Sequence, residues 1–257
     1  FMINDVAVKL RGVCLHETHP YLGRAISHEV RMIDLELMKK AGVNAIRTSH
    51  YPPNEDLMHI CDSMGFYIMD EVPFGGGDNL LDDYSYLSIL ETRANATITR
   101  DKNHPSVIIW SIGNENPMTS ITSATGQYVK NIDNTRPICY PQYGGSKESS
   151  LPGFVDIFST HYELQNNLYS ILASCNRPYI ETEYAHSLGL AFEGQEDSWA
   201  KLENLHRSAG GFVWGWVDQA ISRNGTYPGD EGKTQTNWVS KTEYYDTYFD
   251  NGPDGIL

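Results

Sequence analysis

Apolar and polar positions along this chain follow two alternating rhythms. Short runs dense in Val, Ile, Leu, Phe and Tyr recur between longer stretches whose apolar residues fall at helical spacing. The runs are Val8–Leu15, Val43–Arg47, Phe66–Met69, Val107–Ile112, Ile138–Tyr140, Val155–Ser159, Tyr179–Thr182 and Gly211–Trp214, which makes eight strands. Between them the pattern predicts helices over residues 30–41, 54–64, 88–102, 119–132, 165–173 and 198–208. In the first helix Val30, Ile33, Leu37 and Ala41 share the face expected to meet the core, with Arg31, Asp34, Glu36 and Lys39 elsewhere. Gly42 and Gly65 stop the first two helices, and a glycine-rich loop at Gly75–Gly77 follows the third strand.

Eight strands joined by crossovers, usually helical, predict one closed (β/α)8 TIM barrel over residues 1–220. The run Val107–Ile112 is apolar on both faces, as a parallel strand covered on two sides requires. The rival is an open doubly wound sheet, but no GxGxxG or GxxxxGK[ST] loop occurs. After Ile221 the chain turns polar and weakly periodic, so 221–257 reads as an irregular extension of the same domain.

Composition narrows the partners. Lys plus Arg is 19 against 33 Asp plus Glu, a formal charge of −14, and no basic run offsets it, so nucleic acid is excluded as a partner. No apolar stretch approaches the roughly 20 residues that cross a bilayer. The opening Phe-Met-Ile-Asn-Asp has no signal-peptide pattern, so the chain reads as soluble with its compartment open. Cys14, Cys61, Cys139 and Cys175 form no CxxC pair and read as small buried side chains, not as a thiolate zinc site.

In such a barrel, chemistry collects where strands run into their following loops. Seven of the eight ends carry His, Arg, Glu or Trp: His16-Glu17, Arg47 to His50, Asp70-Glu71, Asn114-Glu115, His161-Tyr162, Glu181 to Glu183, and Trp214 to Trp216. Glu115 and Glu183 end the fourth and seventh strands, three steps apart around the mouth, where their carboxyls can face each other. A separation of about 5–5.5 Å suits retaining glycoside hydrolysis and about 6.5–9.5 Å suits inversion; both stay open here. Trp214 offers a flat surface for a sugar's C–H face, and Trp216 either does the same or fills the barrel rim. Glu17, Asp70 and Glu71 read either as partners orienting the histidines and arginine or as buried ion pairs, and His59, His104 and His206 as structural or solvated.

Five blocks carry a resemblance. His16-Glu-Thr-His-Pro20, Arg47-Thr-Ser-His-Tyr-Pro52, the run from Arg100 to Glu115, Glu183-Tyr-Ala-His186 and Gly210-Gly-Phe-Val-Trp214 resemble the catalytic barrel of glycoside hydrolase family 2. The last two are most similar to its β-galactosidases. The resemblance implies net retention through a covalent glycosyl-enzyme, with Glu115 as general acid/base and Glu183 as nucleophile. It implies that Asn114 holds the sugar 2-hydroxyl, that His16, His50 and His186 bind hydroxyls, and that Trp214 floors the pocket. It further implies that Tyr162 orients Glu183 and that Arg47 beside it keeps it ionised.

Three departures stand out. The family's Glu-x-His, which helps hold magnesium near the acid/base, is not evident in Val72-Pro-Phe-Gly-Gly-Gly-Asp78, so no cofactor is required by the sequence and magnesium near Glu115 is left open. An Asn is replaced in His186-Ser-Leu-Gly-Leu190, and Asn116-Pro117 follows Gly-Asn-Glu in place of small residues. The resemblance also implies flanking β-sandwich domains in a larger parent and a β-linked glycoside as substrate.

Within the family, the alternatives are β-glucuronidase, whose Asn-x-Lys lacks a clear counterpart near Lys233, and β-mannosidase. Outside it stand a non-catalytic sugar-binding barrel and a zinc or iron hydrolase built on the strand-end histidines. The second of these lacks an HxH on the first strand.

Overall fold

The computed structural model describes residues 1–73, 79–186, 194–219, 221–222 and 244–245. Eight parallel strands form one sheet: β1 (Leu10–Leu15), β2 (Ala45–Thr48), β3 (Tyr67–Val72), β4 (Val107–Ile112), β5 (Ile138–Cys139), β6 (Phe158–His161), β7 (Tyr179–Tyr184) and β8 (Ser208–Val213). Each pairs with its sequence neighbour, and β8 returns to pair with β1. Between β5 and β6 the ladder thins to the parallel bridges Cys139–Ile157 and Tyr143–His161, which close the ring. The fold is the expected TIM barrel. A two-residue hairpin, Met2–Ile3 with Val6–Ala7, precedes it.

Alternation along the strands sorts side chains into two cores. Leu10, Cys14, Ala45, Met69, Ile109, Ile180 and Phe212 fill the barrel interior. Their strand neighbours Val13, Ile46, Ile68, Trp110, Tyr179 and Val213 pack in the outer core with the helices. The interior is tight: a Cβ on Gly12 would lie 2.2 Å from the Phe212 ring.

Among the described residues, α-helices follow β1, β2, β3, β4, β6 and β7: α1 (His28–Lys40), α2 (Glu55–Met64), α3 (Leu87–Asp101), α4 (Ser120–Ile132), α5 (Gln165–Ser174) and α6 (Gln195–Asn204). Local signals set their ends. Asn54 Oδ1 accepts the Asp56 N–H at 2.9 Å, Gly65 turns α2 off at φ +71°, and Thr119 with Thr122 forms a capping box on α4. All four cysteines are buried and free, as their surroundings in the sequence suggested.

One expectation fails. The face of α1 that meets the core is Arg31, Leu35 and Met38, whereas Ile33 and Leu37 are exposed. Arg31 goes inside because Glu17 does too: Nε donates to Glu17 Oε1 at 2.7 Å, and a paired guanidinium tolerates burial. The loop Gly75–Gly77 and nearly all of 221–257 lie outside the described residues, apart from a short antiparallel pairing of Ile221–Ser222 with Tyr244–Tyr245. Among the described residues, no helix is long and apolar enough to cross a membrane.

The two faces of α1 should respond unequally to truncation. Leu35→Ala should cost about 2–5 kcal/mol and Ile33→Ala within about 0.5 kcal/mol, read by urea unfolding. Equal losses would restore the face read from the sequence.

Candidate active site

The strand ends converge on one buried cation. Arg47, at 0% exposure, projects from β2 into the mouth. Its Nη1 donates to Glu183 Oε1 at 2.7 Å and to the Thr182 carbonyl at 3.3 Å. Nε and Nη2 donate to Glu71 Oε2 at 3.0 and 2.8 Å, and Nη2 also to Asn114 Oδ1 at 2.6 Å. Glu71 in turn accepts from Ser111 Oγ and lies 2.8 Å from His50 Nδ1. Burial pushes the Glu71 carboxyl up, but Arg47 and His50 outweigh it and hold the group below the usual carboxylate range.

Asp70 shows what strand alternation does to an acidic pair. Glu71 points into the mouth, while Asp70, buried with Asp101 on α3, is pushed well above its ordinary value by desolvation and that second carboxyl. Of the two readings open for Glu17, Asp70 and Glu71, Glu71 orients the arginine and a histidine, and Glu17 forms a buried ion pair.

Glu183 is 5% exposed and held on both oxygens, Oε1 by Arg47 and Oε2 by the Tyr162 hydroxyl at 2.8 Å. Glu115 faces it: an oxygen of Glu115, an oxygen of Glu183 and a His161 ring nitrogen all lie within 4.8 Å of one another. Glu115 Oε1 is 2.8 Å from His161 Nδ1. Burial raises Glu115, and His161 together with the Tyr143 hydroxyl more than offsets this, leaving it below its ordinary value.

Irregular backbone aims these groups. Pairing slips by one residue between Thr160 and His161 against β7 and again where β7 meets β8. Glu181 and Glu183 therefore part company despite sharing strand parity. Glu181 accepts the Glu163 N–H at 2.9 Å and lies in the field of Lys201 on α6, and burial pushes it up to about 8. Glu115, Tyr162 and Ala185 all hold positive φ, at +54°, +48° and +52°, a conformation that costs a non-glycine residue about 1–3 kcal/mol.

Aromatic and imidazole rings wall the mouth. Trp214 is 2% exposed; His50 stacks on it at 5.2 Å, and His16 and His186 meet it edge-on at 5.3 and 6.1 Å. His186 also stacks on Tyr162 at 5.8 Å. Burial, then His50, Arg24 and Arg47, push His16 down to about 3, so its ring is neutral at ordinary pH. Trp216 sits 4% exposed in the outer core, away from this wall, which settles its role as packing.

The nine residues to which the resemblance gives a role fall in one cluster: His16, Arg47, His50, Asn114, Glu115, Tyr162, Glu183, His186 and Trp214. Sequence reasoning missed His161 and Tyr143 as partners of Glu115, and also Asn116, whose Oδ1 accepts the Asn114 N–H at 2.8 Å. Only the strand-end position of His161 hinted at its place. His104 lies away from this cluster, its Nδ1 2.6 Å from Asp62 Oδ2, with His59 beside it at 5.1 Å between ring centroids.

Glu115, Glu183 and His161 together offer two carboxylates and one nitrogen, fewer oxygens than the six-coordinate oxygen cage that magnesium takes. The stretch 74–78, where the family's ligands would fall, lies outside the described residues.

Residues 1–251 match the family described as glycosyl hydrolases family 2, TIM barrel domain. The chain belongs to glycoside hydrolase family 2. It is 36% identical over 240 residues to a β-galactosidase of Lactococcus lactis subsp. lactis, covering 88% of this chain and 24% of that protein. Against a β-galactosidase of Psychromonas ingrahamii the identity is 34% over 257 residues, with 90% and 24% covered. The chain therefore spans about a quarter of the length of these curated relatives. Among solved structures, β-glucuronidase from Ruminococcus gnavus in complex with uronic deoxynojirimycin superposes with a TM-score of 0.75 at 25% identity, over 84% of this chain and 45% of that one. Bacteroides uniformis β-glucuronidase gives 0.70 at 26%, over 84% and 31%. Family membership makes this the TIM barrel domain of a glycosidase family.

Glu71→Gln should cost about 3–5 kcal/mol near neutral pH, because Arg47 loses a buried counter-charge. The Glu71 carboxyl is depressed in the folded state, so its stabilisation is complete above its unfolded value near 4.3 and is lost as pH falls through the folded one. The gap between wild type and variant in urea unfolding should therefore close in acid. A gap independent of pH would mean that the pair contributes no charge interaction.

Proposed function

We propose that this barrel is the catalytic domain of a retaining exo-β-galactosidase, with Glu183 as nucleophile and Glu115 as general acid/base. The observation that carries the reading is the approach of the two carboxyl groups, oxygen to oxygen, within 4.8 Å across the mouth. An oxygen-to-oxygen approach this close supports direct attack by Glu183 rather than activation of an intervening water. In the first step a Glu183 oxygen bonds to the anomeric carbon while the glycosidic C–O bond breaks and the Glu115 proton passes to the departing oxygen. In the second, Glu115 takes a proton from water as that water's oxygen bonds to the same carbon and the Glu183 ester is released.

The partners of each carboxyl support this division. Glu183 is fixed by donors on both oxygens, as an attacking group must be. The Glu115 side chain is 19% exposed against 6% for Glu183, so it can exchange its proton with solvent. Asn114, held by Arg47 at the end of β4, supports the reading of it as the group that meets a sugar hydroxyl.

A neutral sugar fits the wall better than a uronic acid. His16 carries no charge, and Arg47 is spent on protein carboxylates. The relatives named β-galactosidases point the same way. The second reading, a β-glucuronidase, draws on the solved neighbours and on Arg24, an exposed cation stacked 3.8 Å over Tyr51, which itself bonds His16. The matched relatives' greater length supports flanking domains in a parent protein that add to the pocket.

Nitrophenyl galactoside should be hydrolysed at least tenfold faster than the glucuronide and mannoside; a preference for the glucuronide that Arg24→Ala abolishes would favour the second reading. Glu183→Gly should abolish turnover, and azide should then restore a product of inverted configuration. Full activity in that variant would remove Glu183 from the mechanism. Glu115→Ala should slow poor leaving groups by about 10²–10⁴ and good ones far less, since the latter need little protonation.

A further inference from the structure

The group that touches both candidate carboxyls is a buried imidazole. His161 ends β6 with its side chain at 0% exposure. Its Nδ1 lies 2.8 Å from Glu115 Oε1 and 3.6 Å from Glu183 Oε2. The backbone fixes the ring, since the His161 N–H donates to the Gln142 carbonyl at 2.7 Å at the point where β5 and β6 close the barrel. Nε2 is buried and has no hydrogen-bond partner among the described residues.

That asymmetry selects a tautomer. A neutral imidazole carries hydrogen on one nitrogen and a lone pair on the other. A hydrogen on Nε2 would be a buried donor without an acceptor, whereas a hydrogen on Nδ1 is satisfied at once by Glu115. The Nδ1 hydrogen therefore occupies Glu115 Oε1, and a proton on Glu115 belongs on Oε2, the oxygen that His161 leaves free. The other titratable and charged groups facing this pair are Glu183 on β7, Tyr143 after β5, Tyr162, and, behind Glu183, His50 and Arg47.

We propose that His161 is a positioning residue of this reaction: its Nδ1–H pins Glu115 Oε1, directs the transferable proton to Oε2, and stabilises the charge that appears as Glu115 gives that proton up. The inference rests on the acid/base assignment of Glu115. His161 keeps its own hydrogen throughout. The proton moves from Glu115 Oε2 to the departing oxygen, and the carboxylate left behind gains a full hydrogen bond to a charged acceptor. The same bond lowers the Glu115 value, in line with the direction found.

His161→Met and His161→Gln, compared in the full chain, test this. Without the donor, Glu115 should hold its proton more tightly. In His161→Met the alkaline limb of kcat/KM for a poor leaving group should move up by about one pH unit, and the plateau should fall about tenfold. A dinitrophenyl glycoside should show neither change, and His161→Gln, which keeps an N–H donor, should recover most of the wild-type profile. An unmoved limb in His161→Met, or equal losses for both leaving groups in both variants, would overturn the proposal. Nitrogen-15 NMR of the histidine side chains reads the tautomer without turnover: a His161 Nδ1–H near neutral pH is expected, and an Nε2–H would overturn the proposal. Full activity in Glu115→Ala with poor leaving groups would instead sink the acid/base assignment, and the NMR outcome is independent of it.

Discussion

A guanidinium with no solvent contact needs partners, and Arg47 finds them on strands that are remote in sequence. Moving such a charge out of water costs several kcal/mol per ion, and only close, well-aligned acceptors offset it. Glu71 comes from β3, Asn114 from the end of β4, and Glu183 with the Thr182 carbonyl from β7. β3 lies directly beside β2, but β7 reaches Arg47 only when the barrel closes. Closure thus performs two tasks at once, burying the apolar interior and clamping Glu183. A site built in this way cannot form in a half-closed sheet without stranding a charge.

The cost of the arrangement falls at the rim. Three residues beside the carboxyls hold left-handed backbone without being glycine, and several carboxyls stand close together in a poorly solvated mouth. The outer layer of helix-to-strand contacts carries the compensating stability, and it is the thicker of the two cores. Glycine would relieve the strain at Glu115 and Tyr162 but would remove the carboxyl and the hydroxyl that these positions bring into the mouth.

Much of this was legible in the sequence. The runs from Leu10 to Val213 gave strand number and order because parallel strands covered on both sides are apolar throughout, and Gly65 and Asn54 marked helix ends by their own chemistry. The failures share a cause: pattern reading assigns a residue to a face by type and spacing, while pairing and slippage decide it in space. Arg31 went inward because Glu17 waited there. Glu181 and Glu183 separated because β7 slips against both neighbours. His161 lies 46 positions from Glu115, and no spacing rule links them.

The proposed roles of the two glutamates follow from this same level of detail rather than from either residue alone. Both are glutamates at strand ends, both are partly desolvated, and each could in principle attack or protonate. What distinguishes them is the company each oxygen keeps. Glu183 meets a fixed cation and a hydroxyl, so its geometry is set before any sugar arrives and its charge is balanced from behind. Glu115 meets an imidazole nitrogen on Oε1 and the hydroxyl of an exposed tyrosine, partners that hold the side chain and leave its contact with solvent open. A nucleophile gains from the first environment, since reorganisation is already complete. An acid that must lose and regain a proton in every cycle needs the second.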